Sequence, residues 1–307
     1  MPSPAASPSI MRRTPAISAI TLAALTLAAA AARFTALGRV PPGFHVDEAF
    51  NVLDARAVIA GWRPLFLPAN AGRDVLYTYA QALLLALFGD RVAVARAASA
   101  LVGTLTVPLV WWMARTIERN GGVRSSGAAG EPDDVGDARA QRVALTAAAL
   151  LAASYWHLHF SRFGIRAILL PAFVAIVLAR WWVAATAAEP HRRRRAAFDA
   201  GVAIGLAAYA HPVGRALIAL PFAHALWWTA VRRVDDRGRI GRPLAIAALT
   251  ALVVALPLLG TWLLHPWQAT GHAAEVSILG DGARALAANA VRVAGLFVVR
   301  GDAAGWR

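Results

Sequence analysis

Neither cysteine nor lysine occurs in this 307-residue chain. Without cysteine there is no disulfide framework and no thiolate metal site. Charge is scarce: 16% of residues are charged, against roughly 25% in a soluble domain. The chain has no phosphate-cradling P-loop, no Gly-x-Gly-x-x-Gly and no Gly-x-Ser-x-Gly. ATP hydrolysis and serine-hydrolase chemistry therefore find no support. No internal repeat is visible, which weighs against a transporter built from inverted halves.

What fills the chain is apolar. Hydrophobic residues make up 58% of it, and mean hydropathy is +0.53. Continuous runs of about twenty apolar residues recur, each long enough to cross a bilayer. Continuous rather than alternating runs argue against a β-barrel. The expected fold is all-α: a polytopic transmembrane helical bundle of about seven spans, with external juxtamembrane helices.

The net charge is +14, from arginine alone. In a soluble protein that balance would suggest nucleic acid. Here the arginines cluster between apolar runs, as the positive-inside rule predicts, so nucleic-acid binding is a poor reading. Arg12 and Arg13 precede an apolar run containing Ala29-Ala30-Ala31, the form of a secretory signal peptide. Further spanning segments follow, so the run at 14–37 is read as an uncleaved first helix. Residues 1–13 form an expected cytoplasmic disordered tail, and 14–307 the transmembrane domain.

The arginines of 115–142, Arg192 to Arg195 and those of 232–242 are expected to share the cytoplasmic side with Arg12 and Arg13. Spans are expected at 14–37, 93–114, 143–159, 168–188, 198–213, 216–231 and 243–264. Residues 75–88 are short for a span and are read as a helix in or dipping into the outer face. The segment 284–300 carries Arg292 within apolar sequence and suits an interfacial helix. The stretches 38–50, 160–167, 211–215 and 265–283 then lie outside.

Three external elements carry ionisable residues that a plain bundle does not need. The first is His45-Val-Asp47-Glu48, opening a helix after Pro41-Pro42-Gly43. Acids in a first turn suit the helix dipole, so a structural cap competes with a chemical role. Asp54 follows on the same helical face, where a solvated acid is the simpler reading. The second runs from Trp156 to Arg166, with His157, His159, Arg162 and Arg166. Arginines at i and i+4, one turn after two histidines, suit an anion site, although snorkelling side chains would look the same. The third, Tyr209-Ala-His211-Pro212-Val-Gly-Arg215, breaks the backbone between two apolar segments, either as a cavity wall or as an external turn. His45, Asp47 and Glu48 are candidate ligands for a divalent metal, but no His-x-x-x-His or comparable spacing accompanies them.

The order of these segments resembles the GT-C superfamily of membrane glycosyltransferases. A first span is followed by "PPGFHVDEAFNVLDARAVIAGWRP" and "LYTYAQALLLALFGDRVAVARAASALVGTLTVPLVWWMAR", then by "HFSRFGIRAILLP" and "GLAAYAHPVGRALIALP". The branch it looks most like contains dolichyl-phosphate-mannose protein mannosyltransferases and bacterial aminoarabinose transferases. The resemblance covers about residues 14–300 and rests on the order of several weak motifs. It implies an enzyme of the inner (plasma) membrane. Such an enzyme moves a hexosyl or pentosyl unit from a polyprenyl-phosphate donor to a lipid, glycan or protein acceptor on the outer face. By resemblance, Asp47 matches the acid of the first external loop and Glu48 its neighbour. Arg162, Arg166 and Arg215 would stabilise the leaving phosphate, with His45, His157, His159 and His211 in support.

Two departures stand out. Relatives place an acid shortly after the second-loop arginine, where this chain reads Arg166-Ala167-Ile168. They also carry a basic residue and Pro-Leu where it reads Arg73-Asp74-Val75. The ending "LFVVRGDAAGWR" looks like the start of an external loop that continues in relatives, so a truncated member is expected. The alternative function is non-catalytic: a membrane transporter, or a partner that binds lipid-linked glycan.

Overall fold

The computed structural model describes residues 13–69, 72–121, 133–231, 237–267 and 282–296. Residues 1–12 of the expected tail, most of the 265–283 loop and the C-terminal ending lie outside these residues, as do Arg124, Arg232 and Arg233 of the expected arginine clusters.

Helix α1 (Arg13–Phe34) leads through an irregular stretch into α2 (Val46–Ile59). A two-stranded antiparallel ribbon follows, β1 (Phe66–Leu67) on β2 (Arg73–Asp74), with Phe66 opposite Asp74. No strand was expected from the alternation of residues, because two-residue strands carry no periodic signal. Next come α3 (Leu76–Phe88) and the long α4 (Val92–Gly121). Gly89, at φ +83°, supplies the left-handed residue that ends α3.

Helix α5 (Asp133–Ala153) bends by 57° into α6 (Tyr155–Arg162). The break falls at Ser154, whose side chain caps α6 by accepting from the His157 N–H. A 3-10 turn at Arg166–Ile168 opens α7 (Leu169–Thr186), and α8 (Pro190–Ala207) returns. A 3-10 run, Pro212–Ile218, leads into α9 (Ala219–Val231) and α10 (Arg237–Leu264). Helix α11 (Gly282–Leu296) is mostly exposed along residues 282–294.

The bundle packs through small residues, which let helix backbones approach closely. A Cβ on Gly201 or Gly205 of α8 would lie 2.5 Å or 2.6 Å from atoms of α10. Around them Ala196, Ala197, Ala200, Ala207 and Ala247 are fully buried. At the α4–α6 crossing, a Cβ on Gly103 would lie 2.1 Å from the Ser161 hydroxyl.

The chain is a multi-pass membrane helical protein. Among the described residues, three helices are long and apolar enough to cross a membrane, or up to four if the bent α5–α6 pair counts as one span. The three are Val92–Asn120 in α4, Arg166–Thr186 from the 3-10 turn through α7, and Arg239–Leu264 in α10. The expected seven is thus not reached by length and composition. The first turns of α8 carry four consecutive arginines, α9 is short, and the apolar parts of α1 and α3 fall among the shorter apolar helices.

Candidate active site

Two residues of the first element behave differently. Glu48 is fully buried. Its Oε1 accepts from Arg96 Nε at 2.7 Å and the Gly164 N–H at 2.8 Å. Its Oε2 accepts from Arg96 Nη2 at 2.9 Å and the His45 N–H at 3.0 Å. His45 completes a capping arrangement, its Nδ1 accepting from the Asp47 N–H. Burial pushes the Glu48 carboxyl up, but Arg96 and the two N–H groups outweigh it and hold the carboxyl below the ordinary glutamate value. Arg96 also donates to the Leu37, Pro41 and Gly43 carbonyls, so one ion pair clamps the loop between α1 and α2 onto α4. Asp47, by contrast, leaves about half of its side chain exposed beside His45.

The second element divides as well. Arg162 directs Nη1 and Nη2 to the carbonyls of Ala32, Arg33, Thr35 and Val40, capping the C-terminus of α1. The expected phosphate contact would require releasing those carbonyls. Arg33, fully buried, donates Nη1 to the Ala29 carbonyl and Nε to Ser161 Oγ, with Nη2 2.9 Å from His157 Nδ1. His159 packs among Tyr155 and Phe163. His211, in the third element, accepts from the Val213 N–H and caps the 3-10 run.

The arginines that do converge are Arg166 and Arg215, and they meet on Asp74. Pairing with Phe66 fixes Asp74 at the end of the ribbon, immediately before α3. Its side chain is closed to solvent. Oδ1 accepts from Arg215 Nη2 at 2.6 Å, while Oδ2 lies 3.9 Å from Arg166 Nε and accepts no hydrogen bond among the described residues. Burial pushes the Asp74 carboxyl above the ordinary aspartate value, against the pull of both arginines. Arg215 lies over Trp262 of α10, 4.5 Å from the ring centroid, and Phe66 meets the same ring edge-on. The ribbon, α7, the 3-10 run and α10 thus build one wall.

Arg166 is also within electrostatic reach of Asp47 and Arg73. Arg73 is itself engaged: it pairs with Asp54 and donates Nη1 to Asn51 Oδ1 at 2.6 Å. Asn51 in turn donates to the Gly164 carbonyl. Asp54 is therefore an ion-pair partner rather than a solvated acid. Two arginines are held by the buried Asp74 carboxylate, and half-exposed Asp47 lies within electrostatic reach of Arg166. That arrangement suits binding of a phosphate group beside a proton acceptor.

A divalent metal does not fit this donor set. Among the described residues no three His, Asp or Glu side chains gather as ligands. Asp74 faces two cations, and His45 Nδ1 is used on the Asp47 N–H.

Sequence reasoning missed Asp74, Arg96 and Arg33 as site or framework residues. One signal was available for Asp74: the second loop carries no acid after Arg166, while an unusual one stands before α3. Folding brings these two departures together.

No protein-family model matches the chain, and no curated protein sequence matches it. Among solved structures it is similar to the Saccharomyces cerevisiae protein O-mannosyltransferase Pmt1-Pmt2 complex bound to the sugar donor. The TM-score is 0.60 at 18% identity, over 82% of this chain and 34% of the other. The likeness is one of fold. This chain spans about a third of the length of that neighbour.

Proposed function

We propose that this protein is an integral-membrane glycosyltransferase that takes its sugar from a polyprenyl-phosphate donor. The observation that carries the reading is the meeting of Arg166 and Arg215 on buried Asp74, with Asp47 in reach of Arg166. The shared fold with a protein O-mannosyltransferase supports it.

In the proposed reaction the acceptor hydroxyl attacks the anomeric carbon. Its proton passes to the Asp47 carboxylate as the new C–O bond forms. The bond from the anomeric carbon to the phosphate oxygen breaks, and the electron pair leaves with the polyprenyl phosphate. Arg166 and Arg215 stabilise that charge. Asp74 holds the two guanidiniums in place, Glu48 fixes the start of α2, and Arg162 supports α1 rather than the donor.

The membrane is the inner (plasma) membrane and the site faces outward. The site lies near the start of α4 and α7, whereas Arg115, Arg119 and Arg192 to Arg195 gather at the opposite end of these helices. That distribution fits a cytoplasmic arginine layer.

The test is transfer from a synthetic short-chain polyprenyl-phosphate sugar, with wild type and Asp47→Asn compared in detergent. Asp47→Asn is expected to retain its fold and lose at least about a thousandfold in rate. Full transfer by this variant removes Asp47 from the mechanism. Wild-type protein that binds the donor but moves no sugar to lipid, glycan or protein acceptors favours the non-catalytic reading.

A further inference from the structure

A second constellation lies at the other end of the bundle. A cavity of about 680 Å³ opens between the C-terminal turns of α4, the end of α7 and the first turns of α8. Arg115 and Arg180 line it with about a quarter of their side chains exposed, and the more open Arg119, Arg192 and Arg195 complete it.

Its charge is not balanced. Asp137 serves both Arg115 at 3.1 Å and Arg119 at 3.2 Å. Asp199 serves both Arg180 and Arg195. Glu189 pairs with Arg192. Among the described residues, five arginines thus share three carboxylates, an excess of two positive charges around one cavity. Two donors here also lack partners among the described residues: Arg115 Nε and Trp111 Nε1, the Arg115 guanidinium lying 5.4 Å from the Trp111 ring centroid.

The position points to the membrane surface. From Arg96, beside the candidate active site, to Arg115 is about 28 Å of helix, close to the thickness of a bilayer's hydrocarbon core. Trp111 and Trp112 lie at this boundary, where tryptophan commonly anchors helices. Arginine forks match phosphate oxygens two at a time.

We propose that this cavity binds the phosphate of an anionic phospholipid head group on the arginine-rich face of the membrane. Its volume exceeds that of a lone phosphate and suits a phosphorylated glycerol head. The inference is independent of sugar transfer and stands at the opposite end of the helices.

The experiment uses the full chain in neutral detergent. Phosphatidylglycerol, phosphatidylcholine and inorganic phosphate are titrated separately, with retained lipid read by native mass spectrometry and stability by thermal unfolding. Phosphatidylglycerol is expected to remain bound and to raise Tm, with binding that weakens as salt rises. The double variant Arg119→Gln/Arg195→Gln, at two exposed positions, should weaken it about tenfold. Arg119→Lys/Arg195→Lys should recover part of that loss. Equal retention of phosphatidylcholine, saturation by inorganic phosphate to the same effect, or unchanged phosphatidylglycerol binding in the glutamine variant each overturns the proposal. The wild-type lipid comparison decides the matter even where a variant fails to fold.

Discussion

Glu48 and Arg96 form a two-pronged ion pair with both side chains closed to solvent, Nε to Oε1 at 2.7 Å and Nη2 to Oε2 at 2.9 Å. The remaining lone pairs of the carboxylate meet two backbone N–H groups, so the buried charge is fully satisfied. This explains why an acid next to an exposed acid is itself inaccessible. It holds α2 so that Asp47 points outward.

Removing one partner of a buried pair is costlier than the pair is worth, because the other charge stays buried. Glu48→Gln is therefore expected to lower stability by about 3–5 kcal/mol. The wild-type pair has a pH signature. The Glu48 carboxyl is held below its ordinary value, so its contribution is present above about pH 4.3 and is lost as pH falls through the lower folded value. Thermal unfolding across an acid series measures both. A Tm for Glu48→Gln equal to wild type at pH 7 would count against the clamp.

Arg162 offers a cleaner separation of structure from chemistry. Its two terminal nitrogens reach four carbonyls at the end of α1. Lysine cannot span them with one ammonium. Arg162→Lys should lower Tm by several degrees while the donor KM of the folded fraction stays within about twofold. A large rise in KM at unchanged Tm would return Arg162 to the phosphate site.

How much of this was legible in the residues follows from the range of each signal. Apolar runs gave the helical membrane fold, and Pro41-Pro42-Gly43 marked the start of α2 correctly. Three elements with ionisable residues stood out, but their arginines look alike in one dimension. Whether a guanidinium meets a carbonyl, as Arg162 does, or a carboxylate, as Arg215 does, depends on which segments fold beside it. Asp74 sits in a two-residue strand whose partner is set by the intervening loop. Length and composition do not confirm the expected number of spans, because α8 opens with the Arg192 to Arg195 run and α9 is short.

The α4–α6 crossing supplies a packing test. A Cβ on Gly103 would lie 2.1 Å from Ser161 Oγ and 2.6 Å from its Cβ. Ser161 cannot simply turn away, because its hydroxyl bridges Arg33 Nε and the His157 carbonyl. Gly103→Ala should cost about 1–3 kcal/mol by overpacking. Adding Ser161→Gly removes both clashing atoms and should recover part of the loss, a non-additivity that a double-mutant cycle in thermal unfolding would register. Strict additivity would mean that the two helices separate instead of clashing.

Asp74 carries the opposite pH sign to Glu48. Its carboxyl is pushed above the ordinary aspartate value by burial, so the folded state favours the protonated form. Its stabilising effect is present below about pH 3.9 and fades as pH rises through the raised folded value. Under the proposed function, activity runs the other way. As pH falls through that value, Asp74 gains a proton and loosens its hold on Arg215 and Arg166, and donor affinity falls. The acid limb of kcat/KM for the donor should therefore lie above the usual aspartate range of about 3.9. Asp74→Asn should raise donor KM about tenfold or more and flatten that limb, while kcat at saturating donor changes less. A limb that persists unchanged in Asp74→Asn would mean that another group sets the acid dependence.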